Sequence, residues 1–378
     1  MKTARPGVDR PLRAIAYTDS AGIGGAEISL GHLVATVSGD IDLTVLGSSR
    51  LVVDAIAARR PLASRVVLTA SGSIAAAAHL TALLRLRPDV VHVNLCTPWA
   101  GATGLAAALM LPNARVVRVD QLPLRTTDAI ALWRTRALSL RVDAHVAVGE
   151  ASARRMEDFY ALGRGTVLSI PNCVPDIEGD PEAPIARPSG QLVVGSVGRL
   201  DRMKAHDVLL RAIAQVDGVR VVVLGEGEQR TALLKLAADL GVSDRLELPG
   251  WVDDPRDRLP CFDVMALPSR SEGFPLAIVE AMLAARPVVA TRVGSVAEAV
   301  ADGETGLLVD KDDVDGLAAA LRRLRDDPAL RVRLGRRGRE VARDRFIVEH
   351  MAASYERLWH EVVAAPQAPR FRVPRPRD

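Results

Sequence analysis

Glu272 and Glu280 are separated by seven residues in "SRSEGFPLAIVEAM", residues 269–282, and their setting raises a chemical question. Glu272 precedes a Gly-Phe-Pro turn, whereas Glu280 lies well inside an apolar stretch with helical spacing. An apolar helix keeps a carboxylate when something hydrogen-bonds it. Pro275 suits the first helical turn, and the N–H groups of Leu276 and Ala277 then lack intrahelical acceptors and can hold an anion. At a rise of about 1.5 Å per residue, eight positions span at most roughly 12 Å, comparable with the reach from a hexose to a ribose across a diphosphate. A ribose diol donating two hydrogen bonds would explain the carboxylate of Glu280.

Two cations point to the same chemistry. Arg199 follows "GSVG", and Lys204 comes five residues later in "GRLDRMKAHD". A guanidinium fork and an ammonium point charge at one sheet edge can neutralise a leaving group of about two charges without a bound metal. The letters of a metal-binding motif occur in "DID", residues 40–42, but they precede a strand far from these cations and read as a turn.

These residues must be positioned by a scaffold, and short β-branched runs alternating with Ala- and Leu-rich amphipathic segments supply one. Seven such runs, from "RAIAYTD" to "TVLSI", fall within residues 13–170, and six more, from "QLVVGSVG" to "TGLLV", within 191–309. Between them, residues 171–190 carry five prolines and no helical period. The pattern predicts two tandem Rossmann-like α/β domains facing each other across a cleft, with ligands at the carboxyl ends of the strands. The predicted boundaries are 1–172 for the first domain, 173–190 for a linker and 191–345 for the second domain. A helix over 346–365 and a mobile tail over 366–378 complete the chain.

Composition excludes several other classes. A chain of 378 residues that is 48% hydrophobic can build two cores. A net charge of +3 against 49 basic and 46 acidic side chains, with 3% aromatics, offers little to nucleic acid. Cys96, Cys173 and Cys261 are too scattered for a disulfide framework or a zinc site. No segment has the apolar length of a spanning helix or a signal peptide, so a cytoplasmic protein is expected.

Three segments carry a family resemblance: "GRLDRMKAHDVLLRAIA", "VVVLGEGEQRTALLKLAADLGVSDRLELPGWVDD" and "LPSRSEGFPLAIVEAMLAARPVVATRVGSVAEAVADGETGLLV". Together they resemble the carboxyl half of the retaining glycosyltransferases of family four, which have the GT-B fold, and the glutamate pair matches their EX7E motif. The resemblance implies that Arg199 and Lys204 hold a donor diphosphate, Glu280 the ribose and Glu272 hydroxyls of the transferred sugar. Gly273, Phe274 and Pro275 would shape the loop over the phosphates, ahead of the free N–H of Leu276, and the loops around Gly225 to Glu228, with Glu226, and around Trp251 are expected to frame the base. "GIGGAEISL", residues 22–30, is similar to the family's Gly-Gly loop, which assigns Gly24 and Gly25 to the donor as well. A nicotinamide site is disfavoured there, because Glu27 stands where a dinucleotide fingerprint needs its third glycine.

The implied activity is transfer of a hexosyl or N-acetylhexosaminyl group from a nucleotide diphosphate sugar, UDP before GDP, to an acceptor hydroxyl with retention. The nucleotide sugar is a co-substrate, and no cofactor or metal is expected. Envelope lipid, polysaccharide and small metabolite all fit as acceptor. One departure stands out: many relatives carry a histidine at the end of the fifth strand, where this chain has Asp120 and Gln121 in "VVRVDQLPLR". Gln121 can hydrogen-bond a sugar but cannot take a proton, whereas Asp120 can. His92 and Trp99 are weaker candidates for the acceptor side, each weighed against a place in the core. Residues 322–345, with ten arginines against four acids, could touch anionic lipid at the inner face of a membrane, or form a solvated helix face. The competing functions are a non-hydrolysing sugar-nucleotide epimerase, which would act on donor alone, and a catalytically silent nucleotide-sugar-binding partner.

Overall fold

The computed structural model describes residues 10–68, 72–179, 181 and 191–366. These form two compact units, one of residues up to Pro171 together with the chain from Val348 onward, the other Asn172–Ile347.

In the first unit, seven parallel strands alternate with helices. The strands are β1 (Leu12–Thr18), β2 (Ile41–Gly47), β3 (Ser64–Val67), β4 (Val90–Leu95), β5 (Arg115–Asp120), β6 (Ala144–Ala147) and β7 (Val167–Ser169). The helices are α1 (Gly25–Thr36), α2 (Arg50–Ala57), α3 (Gly72–Leu86), α4 (Ala102–Leu109), α5 (Ala129–Ser139) and α6 (Glu150–Phe159). The strand order is β3-β2-β1-β4-β5-β6-β7. Its reversal between β1 and β4 is the crevice where doubly wound sheets take ligands. Strands such as β4, buried along its whole length, are apolar on both faces because helices cover both.

The second unit repeats the scheme with six parallel strands: β8 (Leu192–Val197), β9 (Val219–Leu224), β10 (Leu246–Gly250), β11 (Val264–Leu267), β12 (Val288–Thr291) and β13 (Gly306–Val309). Its helices are α7 (His206–Ile213), α8 (Arg230–Asp239), α9 (Leu276–Leu283), α10 (Val296–Ala299), α11 (Val314–Asp326) and α12 (Pro328–Arg345). The order is β10-β9-β8-β11-β12-β13, so β8 and β11 flank this sheet's switch point. The final helix, α13 (Val348–Ala364), packs on α1 in the first unit, where Tyr355 and Trp359 are buried.

The Pro-rich segment differs from a plain linker at its start. Cys173 and Val174 are buried, and Val174 donates to the carbonyl of Phe346 at 3.1 Å, which makes them part of the second unit. Pro171 and Pro175 fit this extended path because neither residue needs to donate a hydrogen bond. Residues 180 and 182–190 of the expected linker, and 367–378 of the expected tail, lie outside the described residues. Among the described residues, no helix is long and apolar enough to cross a membrane.

The basic stretch 322–345 is largely consumed by its own unit. Arg331 is buried and donates to the carbonyl of Leu324, and Arg339 is buried and donates to those of Leu283, Ile177 and Gly179. Arg325 pairs with Asp326, Arg337 with Glu304 and Glu340, and Arg343 with Asp176.

Candidate functional site

The loops that leave β8, β11 and β12 build the first cluster. After β8, the Asp201 carboxylate accepts the N–H groups of Met203 and Lys204 at 2.9 and 3.0 Å, a side-chain turn that fixes where Lys204 starts. The Lys204 stem runs beside Gly198, whose place would put a Cβ only 3.3 Å from it. Its ammonium reaches Glu272 Oε1 at 2.6 Å, joining the loops after β8 and β11. Arg270 reinforces that junction: its N–H donates to the carbonyl of Met203 at 2.7 Å and its guanidinium to that of Arg202 at 2.8 Å.

The Gly-Phe-Pro turn is held from two further sides. Ser295 donates its N–H to the carbonyl of Gly273 at 2.9 Å, and Asn172 its amide to that of Phe274 at 3.2 Å. Phe274 packs on Phe346 with ring centroids 5.1 Å apart. Gly294 is required here, since it sits at φ +53° and a Cβ would fall 1.9 Å from the carbonyl oxygen of Glu272. The turn opens α9 with Pro275 at its N-cap, so the helix starts at Leu276. One turn in, Glu280 is 8% exposed, and among the described residues no hydrogen bond or ion pair reaches its carboxylate. Burial pushes its pKa up to about 7; the Arg256 charge opposes this and the Asp254 charge adds to it.

Arg199 stands apart from this pair. Its side chain is 67% exposed and is held by Asp201 at 3.0 Å, so it does not join Lys204 and Glu272. At the end of β9, Gly225 lets two backbones meet, because a Cβ there would lie 2.0 Å from the carbonyl oxygen of Gly198. Glu226 pairs with Arg230 at 3.1 Å, and Trp251 is exposed, its indole N–H donating to Asp253 at 3.2 Å.

A second cluster occupies the carboxyl ends of β1, β4 and β5 in the first unit. Glu27 reaches back to the N–H of Gly24 at 2.9 Å, half of a capping box, and accepts from the Cys96 thiol at 2.9 Å. Burial and the Glu27 charge push that thiol up to about 12. A Cβ at Gly25 would meet nothing within 4 Å, so the loop faces open space. Gln121, half-buried, donates to Asn94 at 2.8 Å, and Asn94 donates to the carbonyl of Ala26 at 3.1 Å, which ties β5 to α1 through two amides. Gln121→Ala should therefore lower stability by about 1 kcal/mol in urea denaturation; an unchanged midpoint would mean that water replaces the bond.

Two sequence assignments are corrected by burial. Asp120 is fully buried, with Arg118 on its carboxylate at 2.7 and 2.9 Å and His145 at 2.5 Å. Burial alone would raise its pKa, but the Arg118 charge and the bonds from His145 and Arg118 outweigh that and hold it near 2. It is a saturated core carboxylate and not a base for an acceptor. His92 is buried edge-on against Tyr355 and Trp359, at centroid distances of 4.9 and 5.7 Å, and burial drives its pKa down to about 3. That ring packs the core and does not face an acceptor. Trp99 is half-buried, with its carbonyl accepting from Arg134.

Several supporting residues escaped sequence reasoning. Asp201 carried a signal, as an Asp two and three positions before the N–H groups it binds. Gly294-Ser295 also did, as a turn pair after a strand. Asn172 and Arg270 carried none, because their partners are distant in the chain.

Comparison with known proteins bears on the family and the fold. Residues 23–176 match the family profile described as Glycosyltransferase Family 4, and residues 181–341 that described as Glycosyl transferases group 1. The lipopolysaccharide core biosynthesis glycosyltransferase LpsE of Rhizobium meliloti is 39% identical over 176 residues, 47% of this chain and 52% of that protein. The D-inositol 3-phosphate glycosyltransferase of Mycolicibacterium smegmatis is 38% identical over 203 residues, 50% of this chain and 44% of that protein. The chain spans about half the length of the curated relatives it matches. Among solved structures, Anabaena HepE in complex with UDP-glucose superposes with a TM-score of 0.80 at 21% identity, over 93% of this chain and 100% of that one. The sucrose-phosphate synthase of Thermosynechococcus elongatus gives 0.79 at 20% identity, over 94% and 100%. With two tandem parallel α/β units and both family profiles matched in chain order, this chain belongs to the group 1, family 4 glycosyltransferases.

Proposed function

We propose that the protein transfers a hexosyl or N-acetylhexosaminyl group from a nucleotide diphosphate sugar to an acceptor hydroxyl, with retention at the anomeric carbon. The observation that carries this reading is Glu280, a buried carboxylate without a partner among the described residues, on the helix that begins at the Gly-Phe-Pro turn. Such a group calls for hydroxyl donors, and a ribose diol offers two. The nearby Lys204–Glu272 pair supports the rest of the donor. On binding, the diphosphate takes Lys204, and hydroxyls of the transferred sugar replace the ammonium on Glu272. A UDP-sugar is preferred to a GDP-sugar because HepE is described in complex with UDP, with UDP and glucose, and with UDP-glucose.

In the reaction, the bond from the anomeric carbon to the β-phosphate oxygen breaks and a bond to the acceptor oxygen forms on the same face. The acceptor proton passes to the departing phosphate. Lys204 and the first N–H groups of α9 stabilise the charge that grows on that phosphate, and so act more strongly in the transition state than in the ground state; Arg199 joins them once its exposed side chain turns from Asp201 to the diphosphate. These donors can balance about two negative charges, so a metal is not required. Within the first unit, the Gly24-Gly25 loop, Gln121 and Trp99 are the groups offered to sugars. Asp120 and His92 have no part.

Proton NMR of donor turnover in buffer with chelator tests this reading without a known acceptor. The first-formed product of transfer to water should carry the donor's anomeric configuration before mutarotation. An inverted product would exclude the retaining step, and an isomerised nucleotide sugar with no release of nucleotide would favour an epimerase.

A further inference from the structure

Helix α5 shows its apolar side to solvent. Ile130, Trp133 and Leu140 are 78%, 74% and 61% exposed, whereas Thr135 and Ser139 are buried on the opposite side. Positions 130, 133, 137 and 140 follow the 3-4-3 spacing of a single helical stripe, here made of Ile, Trp, Ala and Leu. Arg134 and Arg141 border that stripe on one side and Arg136 on the other, and Arg125 precedes the helix. The one acid between residues 122 and 141 is Asp128, which is occupied as the N-cap, accepting the N–H groups of Ile130 and Ala131. Arg125 and Arg136 have no ion-pair partner among the described residues.

An apolar stripe edged by arginines, two of the nearby ones, Arg125 and Arg136, without an ion-pair partner among the described residues, and with tryptophan in it, matches a surface that is apolar in depth and anionic at the rim. We propose that α5 docks the protein in the plane of an anionic lipid bilayer, with Ile130 and Trp133 inserted among the acyl chains. The flanking guanidinium groups reach lipid phosphates while their stems stay on the apolar side. A second copy of the chain fits this face poorly. Two-fold contact of α5 with itself would set arginine against arginine, with no free acid to answer them. The arginines of 322–345 differ, since six of the ten are already held by partners within their unit.

Vesicle co-sedimentation of the full-length protein tests the proposal. The protein should bind vesicles of phosphatidylcholine with about one-third phosphatidylglycerol, bind phosphatidylcholine alone weakly, and lose affinity severalfold as salt rises from about 0.1 to about 0.5 M. The double substitution Ile130→Ser with Trp133→Ser should reduce binding to the anionic vesicles at least about tenfold. Its thermal unfolding should stay unchanged, because both side chains are exposed. The proposal is overturned if the double variant binds as the wild type does, or if lipid charge has no influence. It is equally overturned if the protein is a dimer that the double substitution dissolves, which would give this face to a second copy.

Discussion

Replacing Lys204 by alanine is expected to slow sugar transfer by roughly 100- to 1,000-fold, the usual loss when one preorganised donor to a developing oxyanion is removed. Lys204 is held at its backbone, along its stem and at its ammonium. Asp201 sets its backbone, Gly198 makes room for its stem, and Glu272 holds its ammonium at 2.6 Å. The substitution also strands Glu272, a buried carboxylate, so part of the loss would come from misplacing the loop after β11. Pairing Lys204→Ala with Glu272→Gln separates the two effects. Glu272→Gln alone reports the loss of its own sugar contact, and a further fall in rate when Lys204→Ala is added to it, in a loop relieved of its unpaired charge, identifies the phosphate contact as the missing element. The kinetic readout is kcat, because a group that acts on the leaving phosphate matters more in the transition state than in the ground state. A wild-type kcat in Lys204→Ala would remove this residue from the mechanism.

The second large effect concerns Glu280 and has a pH signature. Its pKa stands near 7 in the folded protein against an ordinary 4.5, because burial disfavours the ion. Between those values the folded chain holds a proton that the unfolded chain has lost, so the ligand-free protein loses stability as pH rises from about 4.5 to about 7. Above that window the full penalty, on the order of 3 kcal/mol, is present. Glu280→Gln removes the titration. The variant should match the wild type near pH 5 and exceed it in stability near pH 8, measured by urea denaturation without ligand. Nucleotide binding should run the other way. Hydroxyls donate to the ionised form, so the affinity of the wild type for UDP should tighten as pH rises through about 7. The β-phosphate of UDP also titrates, near about 6, and the variant shows that contribution alone. Parallel pH profiles in the two proteins would deny Glu280 a role in binding.

Much of the scaffold could be read locally, because a parallel sheet buried on both faces demands nearly unbroken apolar strands. "DVVHVN" and "CFDVMALP" announce themselves in that way, and each contains a described strand, Val90–Leu95 extending one residue further. The EX7E spacing was also local, being two side chains on one turn and its helix. What could not be read was which polar residue faces the core. Arg118 and Asp120 lie two apart on β5 and so share a face of the sheet, but the third member, His145, comes from β6, where register sets it beside Arg118. That register is a property of the folded sheet, and without it Asp120 looks like an available base. His92 misleads for the same reason, since the residues that bury it, Tyr355 and Trp359, arrive on a helix more than 250 positions later. The outward stripe of α5 is a converse case: its periodicity was visible, but periodicity alone does not say which side of a helix meets solvent.

Calorimetric titration of UDP into the wild-type protein and into Glu280→Gln, with chelator present and near pH 8, bears most directly on the central claim that the second unit holds a nucleotide sugar through this carboxylate. The wild type should bind one UDP per chain, and the variant should bind at least about tenfold more weakly, the loss expected for a charge-assisted hydrogen bond. Equal affinities, or no binding of UDP to the wild type, would contradict the account.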